Sequence, residues 1–191
     1  MTREELLKLI AETGYNVGIG AKKHFSTYDI VEKVPGFINF LSIAFGIYAL
    51  VFDSLSTKAL SATLIVLGII SLYISFYDSK KMEYEACGCN LIQLSNELRQ
   101  LYIDVKGAEI SLLPKFRETL KALQDRYYNT SLSKQIMFSD WYAHYKFFWQ
   151  HQIDWIDEQK NFKFFRDKVP LTVYLALLFI GVFFFFLFIC A

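Results

Sequence analysis

Three apolar runs dominate the chain, at residues 34–52, 59–77 and 169–190, and none contains an internal charge. A helix of roughly 20 apolar residues crosses the 30 Å or so of bilayer hydrocarbon. The pattern therefore predicts an all-α membrane protein with three transmembrane helices. A chain of 191 residues has too little polar helix left to wrap three such segments in water.

Between the second and third runs the pattern changes. Tyr84, Cys87, Leu91, Leu94, Leu98, Leu101 and Val105 recur at alternating steps of three and four, a heptad seam. This helix is expected to continue the second span into the cytoplasm. Lys106-Gly107 ends it, and Pro114 opens the next, where Phe116, Leu120, Leu123 and Tyr127 repeat the spacing. Asn129-Thr130-Ser131 breaks that pattern. Ser133–Lys168 then reads as one long helix, about 50 Å at 1.5 Å per residue. Its aromatic face holds Met137, Trp141, Tyr145, Phe148 and Trp155. No strand pattern occurs. The chain thus divides into an amphipathic, interfacial segment (1–33), a transmembrane hairpin (34–77), a cytoplasmic helical hairpin or bundle (78–168, with its helices over 79–168) and a C-terminal anchor (169–191). Tyr84, Leu91, Leu94, Leu98, Leu101, Val105, Trp141, Phe148 and Trp155 are the expected bundle or oligomer seam.

The acidic start, Thr2-Arg3-Glu4-Glu5, lacks the apolar centre of a signal peptide. Thr2 and Glu5 have the spacing of a capping box, and Leu6, Ile10 and Ala11 share one helical face. Gly14-Tyr15-Asn16-Val17-Gly18-Ile19-Gly20-Ala21-Lys22-Lys23 does not match a phosphate-binding P-loop, because neither lysine has the required neighbours. A turn or hinge is expected there. The basic and aromatic residues from Lys22 to Tyr28 suit a helix at an anionic leaflet.

Lysine and arginine set the orientation. Lys22, Lys23 and Lys33 precede the first span, Lys80 and Lys81 follow the second, and Lys160, Lys163, Arg166 and Lys168 precede the third. The short loop 53–58 carries only Lys58. The N-terminus and the central segment are therefore expected in the cytoplasm and the C-terminus outside.

Each hairpin span also carries a stripe of small or polar residues at helical spacing. On the first it is Asn39, Ser42, Gly46, Ala49 and Asp53. On the second it is Ser61, Gly68, Ser71, Ser75 and Asp78. One reading is helix packing, since small residues let backbones approach. The other is a pore lining in an assembly of several copies. The third run has Thr172 as its one clearly polar side chain, and Phe183-Phe184-Phe185-Phe186 surrounds it with rings, so it reads as a lipid-facing anchor.

Composition sharpens this picture without redirecting it. Hydrophobic residues make up 54% and aromatic residues 18% of the chain, with 19 Phe. Net charge is +1, so no direct nucleic-acid partner is implied. Cys87 and Cys89 form a C-x-C in a helix, which suits free thiols in a reducing compartment. His144 and His151, with Asp140, Asp154 and Glu158 near, have metal-like spacing on one helix, yet the partner helices offer little histidine. No nucleophile–base arrangement can be assigned. The expectation is a non-enzymatic protein without metal or cofactor.

The two-span hairpin with its tiny loop and long cytoplasmic helix resembles the SLATT family of bacterial effectors. The local likeness lies in Tyr15-Asn16-Val17-Gly18 through Gly20-Ala21-Lys22-Lys23-His24-Phe25, in Lys33-Val34-Pro35-Gly36 and in the heptad helix after span two, within residues 10–170. The resemblance implies an inner-membrane effector of antiphage defence that oligomerises, forms pores and depolarises or lyses the infected cell in abortive infection. It also implies an upstream nucleotide-signal synthase or sensor protein. It supplies no catalytic residue. The third span departs from the two-span pattern. A competing expectation is a tail-anchored scaffold or adaptor that recruits a cytoplasmic partner through the Trp141–Trp155 face.

Overall fold

The computed structural model describes residues 2–130 and 134–190, and side chains outside 182–190. Seven α-helices carry the described chain: α1 (Arg3–Val51), α2 (Lys58–Ser75), α3 (Lys81–Gly107), α4 (Leu113–Thr130), α5 (Ser139–Gln150), α6 (Asp154–Lys160) and α7 (Leu171–Cys190). Among the described residues there is no strand. Two stretches, Arg3–Val51 and Lys58–Gly107, are long and apolar enough to cross a membrane. The described side chains of the third run extend only to Gly181. The phenylalanine cluster at Phe183–Phe186 lies outside them.

The capping box forms as the spacing predicts. Glu5 N–H donates to Thr2 Oγ1 at 3.2 Å, and Thr2 N–H donates to Glu5 Oε2 at 2.8 Å. From this cap α1 runs unbroken for 49 residues, through Gly14–Lys23 and on through Pro35. There is no turn at Gly14–Lys23. Those glycines face aromatic rings instead. A Cβ on Gly14 would stand 2.2 Å from Trp155 Cη2, and one on Gly18 would stand 2.8 Å from Phe147 Cε2. Glycine serves here to let two helices approach across large rings, a role that the packing enforces and helix propensity opposes.

The part of α1 before the first apolar run, residues 3–33, therefore forms the central helix of the helical bundle. Leu6, Ile10, Val17 and Ala21 have no exposed surface. They join Leu91, Leu98 and Val105 of α3, Leu120 of α4, Phe147 of α5 and Ile156 of α6 in one core. Full burial of each such aliphatic side chain contributes about 2 kcal/mol. α1 and α3 run antiparallel: His24 lies beside Tyr84, Gly20 beside Leu91, and Arg3 donates to the carbonyl of Ala108.

The long helix expected over Ser133–Lys168 is instead two short helices and a π turn (Phe164–Lys168), and Ser133 lies outside the described residues. The first break is at His151, which is extended at φ −101° and ψ 144°. The second is at Asn161, left-handed at φ 50° and ψ 62°, whose N–H caps α6 on the Asp157 carbonyl. Asparagine tolerates this conformation. The breaks turn the chain so that Phe147, Trp155, Ile156 and Phe162 all reach α1 or its neighbours. A straight helix would carry most of them into water.

Candidate functional site

The hairpin spans pack through an apolar face. On α2 the covered positions are Leu60, Leu64, Leu67, Ser71 and Ile74, a repeat of three and four. On α1 they include Val34, Ile38, Leu41 and Ala49. At the end nearest the bundle Ile74, Val31 and Ile136 form a small buried cluster. Leucines and isoleucines thus join α1 to α2.

The polar stripes mostly point elsewhere. Asn39, Asp53, Ser61, Gly68, Ser75 and Asp78 are exposed, while Ser42, Gly46 and Ser71 are half-buried at the edge of the contact face. A Cβ on Gly46 or Gly68 would meet nothing within 4 Å, so neither glycine marks a close approach within the chain. The hydroxyls bond back to their own helix: Ser61 to the Thr57 carbonyl at 3.2 Å, Thr63 to Ala59 at 2.9 Å and Ser75 to Ser71 at 3.0 Å. Such back-bonding removes their need for a partner. Asn39 has no equivalent. Among the described residues its carboxamide bonds to nothing.

A polar collar ties the spans to the bundle. Asp29 of α1 accepts from Lys33 at 2.5 Å and from Lys146 of α5. Lys146 is 8% exposed and its ammonium also lies over the Tyr142 ring. Burial works to raise the Asp29 carboxyl, but the bonds from Lys146 and Lys33 outweigh it, and the group sits below its ordinary value. Glu32 of α1 and Asp78 both hold Lys81, at 2.8 and 3.2 Å, which joins α1 to the start of α3. Thr27 donates to Gln135 Oε1 at 2.6 Å. The pairings Asp29–Lys146, Glu32–Lys81 and Thr27–Gln135 were not legible in the sequence, because their partners lie far apart along the chain.

The heptad seam of α3 faces the bundle. Tyr84, Leu91, Leu94, Leu98, Leu101 and Val105 are all buried, as are Phe148 and Trp155. Trp141 is apart from them. It is exposed, and its indole N–H donates to Thr172 Oγ1 at 2.6 Å, at the start of α7. The histidines are packed among rings: His144 against Phe148 and His151 against Phe147. Among the described residues no three metal-ligating groups gather.

The hairpin, its short loop and the long helices on either side can be compared with known families. A family model, "SMODS and SLOG-associating 2TM effector domain 6", matches residues 1–177. The chain belongs to the SLATT family. SLATT domains are two-span membrane effector domains associated with conflict and defence systems. In this SLATT chain α1 and α2 fall entirely within the match, whereas most of α7 lies beyond it. No curated protein and no solved structure matches the chain.

Proposed function

We propose that this SLATT chain is a homo-oligomeric effector that permeabilises or depolarises the bacterial inner membrane during phage infection. Control comes from a nucleotide signal or from an upstream synthase or sensor protein. In this reading the bilayer is the target, the N-terminus and the bundle are cytoplasmic, and α7 is a third span that ends outside. The activity is a rearrangement of helices and needs no catalytic group.

One observation carries the reading. Leucines and isoleucines make the contact between the spans, and most of the polar stripe is left outward, with the Asn39 amide bonding to nothing among the described residues. A bare amide in hydrocarbon costs several kcal/mol, about 2 or more, unless water or protein meets it. Copies arranged with the stripes inward would meet that need.

The test is membrane potential in cells carrying the protein under activating infection. The wild type is expected to collapse the potential and admit an excluded dye. Asn39→Leu and Ser42→Leu, at equal membrane abundance, are expected to retain most of the potential. An intact potential with the wild type would refute the proposal. The scaffold reading draws on the exposed rings of Trp141, Tyr145 and Trp149. Cross-linking that captured one stable partner and no homo-oligomer would favour it.

A further inference from the structure

Far from the hairpin, the bundle holds a cavity of about 270 Å³ between α3, the end of α5 and the start of α6. Its lining includes Ser95, Asn96, Arg99, His151, Gln152 and Trp155. Among the described residues no carboxylate lines it. Ser95 is 3% exposed, and Asn96 and Arg99 beside it are open to solvent. Arg99 gives one N–H to Gln152 Oε1 at 3.1 Å and has no acidic partner there. A guanidinium has five donors, so several stay free.

A second cation lies within electrostatic reach of His151. Lys22 of α1 is half-buried and forms no ion pair among the described residues. Burial, and then the charge of Lys146, destabilises its ammonium. Burial, with Lys22 and Arg99 repelling a proton, pushes the His151 imidazole down to about 4. Three other bundle cations are paired with acids: Lys106 with Glu158, Arg126 with Glu97, and Lys23 with Asp140. Half-buried positive charge without an anion, as at Lys22, is costly. Here the protein supplies donors and cations around a hollow, and no anion.

We propose that this cavity binds the phosphate group of a small soluble phosphorylated molecule. The Arg99 fork would take two phosphate oxygens, the Ser95 hydroxyl and the Asn96 amide would donate to them, and Lys22 would add attraction from behind. Charge-assisted forks of this kind are the strong hydrogen bonds of recognition. Trp155 offers a flat apolar wall beside them. The volume is at the small end of ligand sites, about 300 Å³ upward, so it suits a phosphate with a modest attachment. A lipid headgroup is a poor candidate, because Ser95 lies about 20 Å along α3 from its start at Lys81.

The protein in neutral-lipid nanodiscs would be titrated calorimetrically with inorganic phosphate and with adenosine monophosphate. Saturable binding of at least one is expected. Arg99→Gln should weaken it at least about tenfold, the loss of one charged hydrogen-bonding partner. Lys22→Met should weaken it less, and Lys106→Gln, outside the cavity, should leave it unchanged. Circular dichroism would confirm that each variant is folded. No saturable binding, or equal binding by wild type and Arg99→Gln, would overturn the proposal. So would competition by nanodiscs containing phosphatidic acid, which would assign the phosphate to lipid. Binding is read without any pore, so this result is independent of the effector reading.

Discussion

Gly14 and Gly68 have the same side chain and opposite surroundings. Gly14 lies under the Trp155 ring and Gly18 under Phe147, whereas Gly68 faces open space on the hairpin. Gly14→Ala and Gly18→Ala are each expected to destabilise the bundle by about 1–3 kcal/mol, the usual cost of overpacking. Gly68→Ala should leave thermal unfolding unchanged or slightly improved. Unfolding in detergent followed by circular dichroism distinguishes them. The same pair explains what sequence reading could reach. A glycine in a helical pattern signals either a break or a close approach. Only the ring that fills the space decides between them, and Trp155 is 141 residues away from Gly14. The heptad of α3 was plain as a buried seam, because leucine at steps of three and four seeks cover from water, and the structure supplies that cover within one chain.

The elements are joined by a few polar clamps as well as by the core. α5 is held to α1 by Lys146 on Asp29, a pair with little exposure on either side chain. Asp29→Asn would strand a buried ammonium and should cost about 3 kcal/mol, whereas Lys146→Met, which leaves Asp29 its bond to Lys33, should cost less. The double variant Asp29→Leu with Lys146→Met should recover much of the loss. Stability of the three variants by thermal melting checks the order. The breaks between α5, α6 and the π turn were also hard to see beforehand. Their signals are modest: Asp154 in the first turn of α6 and the left-handed Asn161 at its end. Neither interrupts the aromatic spacing from Trp141 to Trp155, and so the spacing alone continued the helix too far.

For the whole molecule, the buried His24 and the half-buried His144 and His151 set the response to acid. Burial lowers the imidazoles of His24, His144 and His151, the last to about 4. Unfolded, each titrates near about 6.5. The unfolded chain therefore binds more protons between these values, and stability, complete above about pH 6.5, falls as pH drops toward 4. Asp29, whose value is depressed, adds a further loss only below its ordinary carboxylate range. Melting temperatures from pH 7.5 to 4.5 should decline, and His151→Gln should decline less steeply.

The core also draws its residues from both ends of the chain, with Leu6 to Ala21 set against Phe147 to Ile156. On the ribosome these do not appear together. Both hairpin spans emerge first and enter the bilayer, while Gly14 and Gly18 still wait for the rings that cover them. Each new copy therefore passes through an interval in which it is already embedded but not yet latched. How long that interval lasts is set by the pace of translation through α3, α4 and α5.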